Sequence, residues 1–228
     1  MNVLLIDVET INLYDKTVFD FSYIIADIET KEIKEEGAYV ITEGFEKIDE
    51  AYYSQNKQDY LDMLESGEYK EISMVELRVM FNILVKRKDI KFLSAFNLKF
   101  DVAALGYSFV KYAEANKAMD YEGLSKFITI LDVGIVATLA ANTSGEYVKF
   151  CLENNFTTEK GNIKTTAEVF YRYLLDDPTH MEKHMGKQDC IEEFEILSEC
   201  YPMLSDSDKE KAEKLSFKKA VFYRLLEV

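Results

Sequence analysis

The chain has 228 residues, 48% of them hydrophobic and 30% charged, enough to bury a sizeable core and to exclude disorder as the default state. Lys plus Arg number 27 against 42 Asp plus Glu, and the net charge of −15 excludes an extended non-specific grip on duplex DNA, which needs cations opposite many phosphates. The longest apolar runs, such as Val3 to Ile6, are too short to span a bilayer, and three cysteines without a CxxC pair fit a reducing compartment, so a cytoplasmic protein without a membrane partner is expected.

The first element is NVLLIDVE, residues 2–9, a near-continuous apolar run that predicts a strand buried on both faces of a sheet. FSYIIADIE (21–29) and EIKEEGAYVIT (32–42) are rich in β-branched and aromatic residues around a polar turn, and predict a hairpin. Residues 43–89 follow, with Leu61, Leu64, Leu77, Phe81 and Leu84 at helical spacings; this charged stretch reads as a mainly helical, surface-lying insertion. IKFLSAFN (90–97) predicts a strand and FDVAALGYSFVKYAEA (100–115) the helix after it. FITILDV (127–133) predicts another strand, again followed by helix. From 145 onward the pattern is helical almost throughout, with Thr165 and Thr166 as candidate N-caps and Pro178 marking a break. The alternation after an antiparallel opening predicts an α/β fold with a mixed central sheet flanked by helices and a helical C-terminal part.

Three short segments carry chemistry. Asp7 and Glu9 are two apart on a strand, and the period-2 alternation puts both carboxylates on one face at its C-terminal end. The same D-x-E pattern recurs at Asp27, Asp120 and Asp208, and the Asp27 copy reads as a solvated hairpin tip. Only the Asp7 copy ends a buried strand, where a carboxylate pair is costly unless metal or hydrogen bonds neutralise it. Asp101 follows the 90–97 strand and opens a helix, a place where an Asp is also ordinary because it meets the helix dipole. In HMGKQD, His184 and Asp189 sit five apart with Gly186 between them, in a chain that has only two histidines. His180 and His184, at i and i+4, form a competing two-histidine metal pair that lacks the Glu of HExxH.

Taken together, these segments resemble the DEDDh 3′–5′ exonucleases, the family of replicative proofreading subunits, RNase T and oligoribonuclease. The motif D-x-E-T is matched by DVET at Asp7, Glu9 and Thr10. The second, N-x-x-F-D, is similar to NLKFD, with Asn97, Phe100 and Asp101. The third, H-x-A-x-x-D, resembles HMGKQD, with His184 and Asp189. The motifs occur in the family's order, and the resemblance covers most of residues 1–200. Two departures stand out: Phe96 where many members carry His, and the 43–89 segment, which has no assignable counterpart.

The resemblance implies an RNase H-like fold and a single exonuclease domain over residues 1–228. It implies a hydrolase that releases mononucleotides from a free 3′ end, most readily of single-stranded DNA, in DNA replication or repair. Asp7, Glu9, Asp101 and Asp189 would hold two Mg²⁺ or Mn²⁺ ions, His184 would be the general base, and Thr10, Asn97 and Phe100 would bind substrate. Oxygen donors suit those hard cations, and the ions would bring positive charge to an acidic chain. An RNA-directed exonuclease or oligoribonuclease, and an accessory binding module of a replication or repair complex, are the alternatives; the acidity is also compatible with a protein partner that supplies nucleic-acid affinity. Geometry adds one expectation. Five residues along a helix rotate a side chain by about 140°, so a helix starting near Gly186 should leave His184 on the preceding loop, with glycine permitting the break.

Overall fold

The computed structural model describes residues 1–115 and 119–217, with the side chains of 144 and 217 excepted. Its spine is a six-stranded mixed sheet in the order β4-β3-β2-β1-β5-β6. The strands are β1 (Asn2–Thr10), β2 (Val18–Asp27), β3 (Ile33–Ile41), β4 (Lys70–Ile72), β5 (Phe92–Ala95) and β6 (Thr129–Asp132). β1 pairs antiparallel with β2 and parallel with β5, so it is interior. That place suits its sequence. Leu4, Ile6 and Val8 enter the core on one face and Val3 and Leu5 the core on the other. β2 and β3 form the expected hairpin, closed by Asp27, whose side chain accepts from the Glu29 and Thr30 amides. β2 begins at Val18, three residues before the expected start, which brings Asp20 into the sheet.

The helices are α1 (Thr42–Phe45), α2 (Lys57–Ser66), α3 (Met74–Leu84), α4 (Leu98–Tyr112), α5 (Tyr121–Leu124), α6 (Val133–Ser144), α7 (Glu146–Glu153), α8 (Ala167–Leu175), α9 (Gly186–Met203) and α10 (Asp206–Phe217). α3 and α4 cover one face of the sheet, burying Leu77, Phe81, Val102 and Leu105. α6, α8 and α9 cover the other, burying Val136, Phe170, Phe194 and Leu197. The α/β architecture with its helical C-terminal part is as expected. Thr166 caps α8 by accepting from the Val169 amide, and Pro178 lies in the loop between α8 and α9. Cys151, Cys190 and Cys200 are buried and unpaired. Among the described residues no helix is long and apolar enough to cross a membrane.

The 43–89 segment differs from its reading as a surface layer. It is helical in α2 and α3, but β4 pairs parallel with β3 and extends the sheet. Tyr60 and Tyr69 are buried against Phe19, Val40 and Met185, while Leu77 and Phe81 join the main core. A strand of three residues carries too short an alternation to be read from sequence. The start of α3 has a readable signal, the capping box of Ser73 and Glu76, in which each side chain bonds the other's backbone amide.

Candidate active site

At the C-terminal end of β1 the pairing with β2 shifts register between Glu9 and Thr10. Asp7 and Glu9 lie on the strand face that α9 covers, with Val3 and Leu5 before them. Asp101 arrives from the first turn of α4, just beyond β5. Its Oδ1 accepts from the Val8 amide at 3.3 Å, tying helix to strand between the two β1 carboxylates. Asp189 lies in the first turn of α9 and is buried. Glu9, His184 and Asp189 each offer a ligand atom, and these atoms all lie within 4.8 Å of one another.

The electrostatics define the rest of the cluster. Burial, then the carboxylates of Asp189, Glu193, Glu9 and Asp101, hold the Asp7 carboxyl well above its ordinary range. Burial and the neighbouring Asp20 and Asp189 raise Glu9 in the same direction. Burial pushes Asp101 up to about 8, and burial with Glu182 and Glu192 pushes Asp189 up to about 9. So many acids near one another cannot all ionise at neutral pH without a positive charge between them. Two of their oxygens, Asp7 Oδ2 and Asp189 Oδ1, are buried and find no hydrogen-bond partner among the described residues. Hard oxygen donors, two of them orphaned, fit a divalent cation of the Mg²⁺ or Mn²⁺ type.

α9 begins at Gly186, and His184 stands on the loop before it with φ of 53°. The left-handed residue is therefore the histidine. Gly186 is not among the positive-φ residues, so its role is not to permit a turn. A Cβ there would stand 2.9 Å from Asp20 Oδ1 and 3.0 Å from Ser22 Oγ, so space is what requires the glycine. The N-cap residue Met185 makes no side-chain cap; instead Asp20 Oδ2 accepts from the Gly186 amide at 3.0 Å and the Tyr69 hydroxyl from the Lys187 amide at 3.1 Å. Burial raises Asp20 to about 6, against the hydrogen bonds from Tyr60, Gly186, Ser22 and Tyr69. Burial lowers the His184 pKa. His180 is elsewhere, with its Nε2 3.3 Å from Glu192 Oε2 and its ring edge-on to Tyr171. The described groups of close ligand atoms do not pair the two histidines.

The remaining expected residues adjoin these acids in sequence. Thr10 is buried at the end of β1. Asn97 is exposed and left-handed before α4; it does not cap the helix, whose Leu98 amide bonds Asp132 Oδ2 at 3.0 Å instead. Phe100 is half-buried, with the Lys16 ammonium 5.9 Å from its ring centre. Phe96 packs on Phe170, and its amide donates to Glu193 Oε2 at 2.8 Å.

Several site residues escaped the sequence reading. Glu193, buried and raised by burial and by Asp101, lies four residues after Asp189, the spacing that shares a helix face. Glu182, raised to about 7 chiefly by burial, and Glu192 form a second close group with Asp189. Asp20 carried a signal too, as a lone acid between Phe19 and Phe21 in VFDFS.

No protein-family model matches this chain, and no curated protein matches it in sequence. Among solved structures it is similar to E. coli Exonuclease I, determined in complex with a dA16 oligonucleotide, with a TM-score of 0.57 at 12% identity. The match covers 88% of this chain and 41% of that one, so this chain spans about two fifths of its neighbour's length. The two share a fold.

Proposed function

We propose that this protein is a metal-dependent 3′–5′ exonuclease that releases mononucleotides from single-stranded DNA. The observation that carries the reading is the meeting of Glu9, His184 and Asp189, with Asp7 and Asp101 within electrostatic reach of those acids and orphaned oxygens on Asp7 and Asp189. A structural cluster of acids has no reason to leave such atoms without partners. The shared fold with an exonuclease solved on an oligonucleotide supports the same reading. Residues 1–228 act as one exonuclease unit, with 43–89 as an insertion.

Asp7, Glu9, Asp101 and Asp189 would hold two divalent cations, which when bound supply Lewis acidity to both sides of an in-line displacement at phosphorus. His184, near Glu9 and Asp189, takes the proton from the attacking water; its lowered pKa leaves the imidazole neutral and able to accept at neutral pH. Thr10, Asn97 and Phe100 border the 3′-terminal nucleotide. With a net charge of −15, the protein engages nucleic acid at this local site, and its acidity is compatible with a protein partner that supplies wider affinity.

The test compares linear and circular single-stranded DNA, duplex DNA and short RNA with Mg²⁺ or Mn²⁺, and again with EDTA. Mononucleotide release from linear DNA alone, stopped by EDTA, is the expected result. Cutting of the circle at the linear rate would make the protein an endonuclease, faster release from RNA would move its substrate to RNA, and binding without turnover would make it an accessory module.

A further inference from the structure

Residues 53–56 of the inserted segment lie against the loop that carries His184. Tyr53 lays its ring on the imidazole, with centroids 4.3 Å apart and planes 17° apart. Asn56 Nδ2 donates to the carbonyl of Lys183 at 3.0 Å and to that of His184 at 3.2 Å. One residue therefore holds the ring and the other the backbone. A left-handed conformation costs a non-glycine residue energy and persists only where its surroundings over-determine it, and these contacts do so at His184.

Core packing does not account for Tyr53. Tyr60 and Tyr69, from the same segment, are buried in an apolar cluster and bond Asp20. Tyr53 is only half-buried and outside that cluster, and its other ring neighbour, Tyr52, is 76% exposed. What Tyr53 covers is the histidine. An imidazole on a mobile loop would sample many orientations, whereas proton transfer needs it within hydrogen-bond reach of one water.

We propose that Tyr53 and Asn56 are positioning residues that hold His184 beside Glu9 and Asp189, which gives the inserted segment a part in the reaction. The role assigned to the histidine rests on the nuclease reading above; the way it is held rests on geometry alone. Tyr53→Ala then lowers kcat by roughly 10- to 100-fold with KM little changed, while Tyr53→Phe keeps the stack and the rate. In a His184→Ala background Tyr53→Ala costs nothing further, because it acts through the ring already removed. Asn56→Ala follows the same pattern with a smaller loss.

The second readout needs no activity. With two histidines in the chain, the His184 ring resonances of the full-length protein are identified by their loss in His184→Ala. In metal-free protein they should be shifted upfield by the stacked ring, keep that shift in Tyr53→Phe and lose it in Tyr53→Ala. Unchanged His184 resonances in Tyr53→Ala, or losses in kcat that multiply in the double variant, would overturn the proposal. Absence of turnover in wild type with the resonance response intact would overturn the nuclease reading and leave the histidine support standing.

Discussion

The protein contains the same tetrapeptide pattern twice, as Asp7-Val8-Glu9-Thr10 and Asp27-Ile28-Glu29-Thr30, and gives the two copies opposite chemistry. Asp27 lies at the hairpin tip, 2.8 Å from the N-terminal ammonium and 3.3 Å from Lys34 Nζ, and accepts from two backbone amides. The ammonium and those hydrogen bonds hold its carboxyl below the usual range. Glu29 is 74% exposed. Asp7 faces the acids Asp189, Glu193, Glu9 and Asp101, and burial with their charge holds it above that range. A pair of carboxylates two apart on a strand is thus not a site in itself. It becomes one where the fold removes water and brings further acids instead of cations.

The comparison breaks most sharply on turnover. Asp7→Ala and Asp101→Asn should each abolish nuclease activity without unfolding the protein, since each removes a donor while relieving repulsion among the metal-free acids. Asp27→Ala should leave the rate within about 2-fold, its contacts being those of a surface ion pair. Rates of mononucleotide release by purified variants decide it. Near-wild-type turnover by Asp7→Ala, or loss of activity in Asp27→Ala, would reverse the roles of the two copies.

The two histidines allow the same contrast at a smaller scale. His184→Ala should lower single-turnover rates by roughly 10²–10⁴-fold, the usual contribution of a general base, with metal binding largely intact. His180→Ala should do little, because His180 offers no ligand atom to either close group around Asp189 and reaches them only through Glu192. Rates measured across pH at saturating Mg²⁺ test the pair; a larger loss in the His180 variant would overturn the assignment.

What was legible in the sequence were features written in short windows. β1, the hairpin, β5 with α4 and β6 with α6 each announce themselves by a local period, and so do the acids that end β1 and open α4 and α9. Contacts between distant segments were not legible. Asp20 caps a helix that starts 166 residues later, Asn56 bonds a carbonyl 128 residues away, and β4 is a strand only because β3 offers it an edge. Gly186 shows the limit from the other side. Its identity was visible, but the reason for it, the Asp20 carboxylate, lies on another strand.

Stability against pH separates the two copies again, in metal-free protein. Asp20, Glu182, Asp101 and Asp189 have folded-state pKa values of about 6, 7, 8 and 9, all above their ordinary values near 4. The folded state therefore binds more protons than the unfolded state between about pH 4 and 9, and stability falls as pH rises through that window. Asp27 has the opposite sign. Its lowered pKa contributes stability above the ordinary carboxylate range that is lost as pH falls. In EDTA, Tm should be lower at pH 9 than at pH 5, and Mg²⁺ or Mn²⁺ should raise it more at pH 9, where the donors are more readily deprotonated. Asp7→Ala should flatten the decline, and Asp27→Asn should lower Tm at neutral pH without changing its slope above pH 5. A Tm that rises from pH 5 to pH 9 in EDTA would refute the account of the acids.

The smallest effect concerns how the third acidic segment is seated. Gly186→Ala puts a methyl group 2.9 Å from Asp20 Oδ1, closer than real Cβ contacts come, and tightly against Ser22 Oγ at 3.0 Å. Asp20 cannot simply turn aside, because the Tyr60 hydroxyl at 2.7 Å, the Tyr69 hydroxyl at 3.3 Å and the Gly186 amide itself hold its Oδ2. The start of α9 must then move, and with it Asp189, three residues along. Alanine is the better helix former, so propensity alone would make the change stabilising by somewhat under 1 kcal/mol. Overpacking of a filled site typically costs about 1–3 kcal/mol, and here it should win. Urea denaturation of Gly186→Ala should therefore show a net loss, and in an Asp20→Ala background, where the obstructing carboxylate is gone, the same substitution should be close to neutral. An equal loss in both backgrounds would mean that the glycine is required by something other than Asp20.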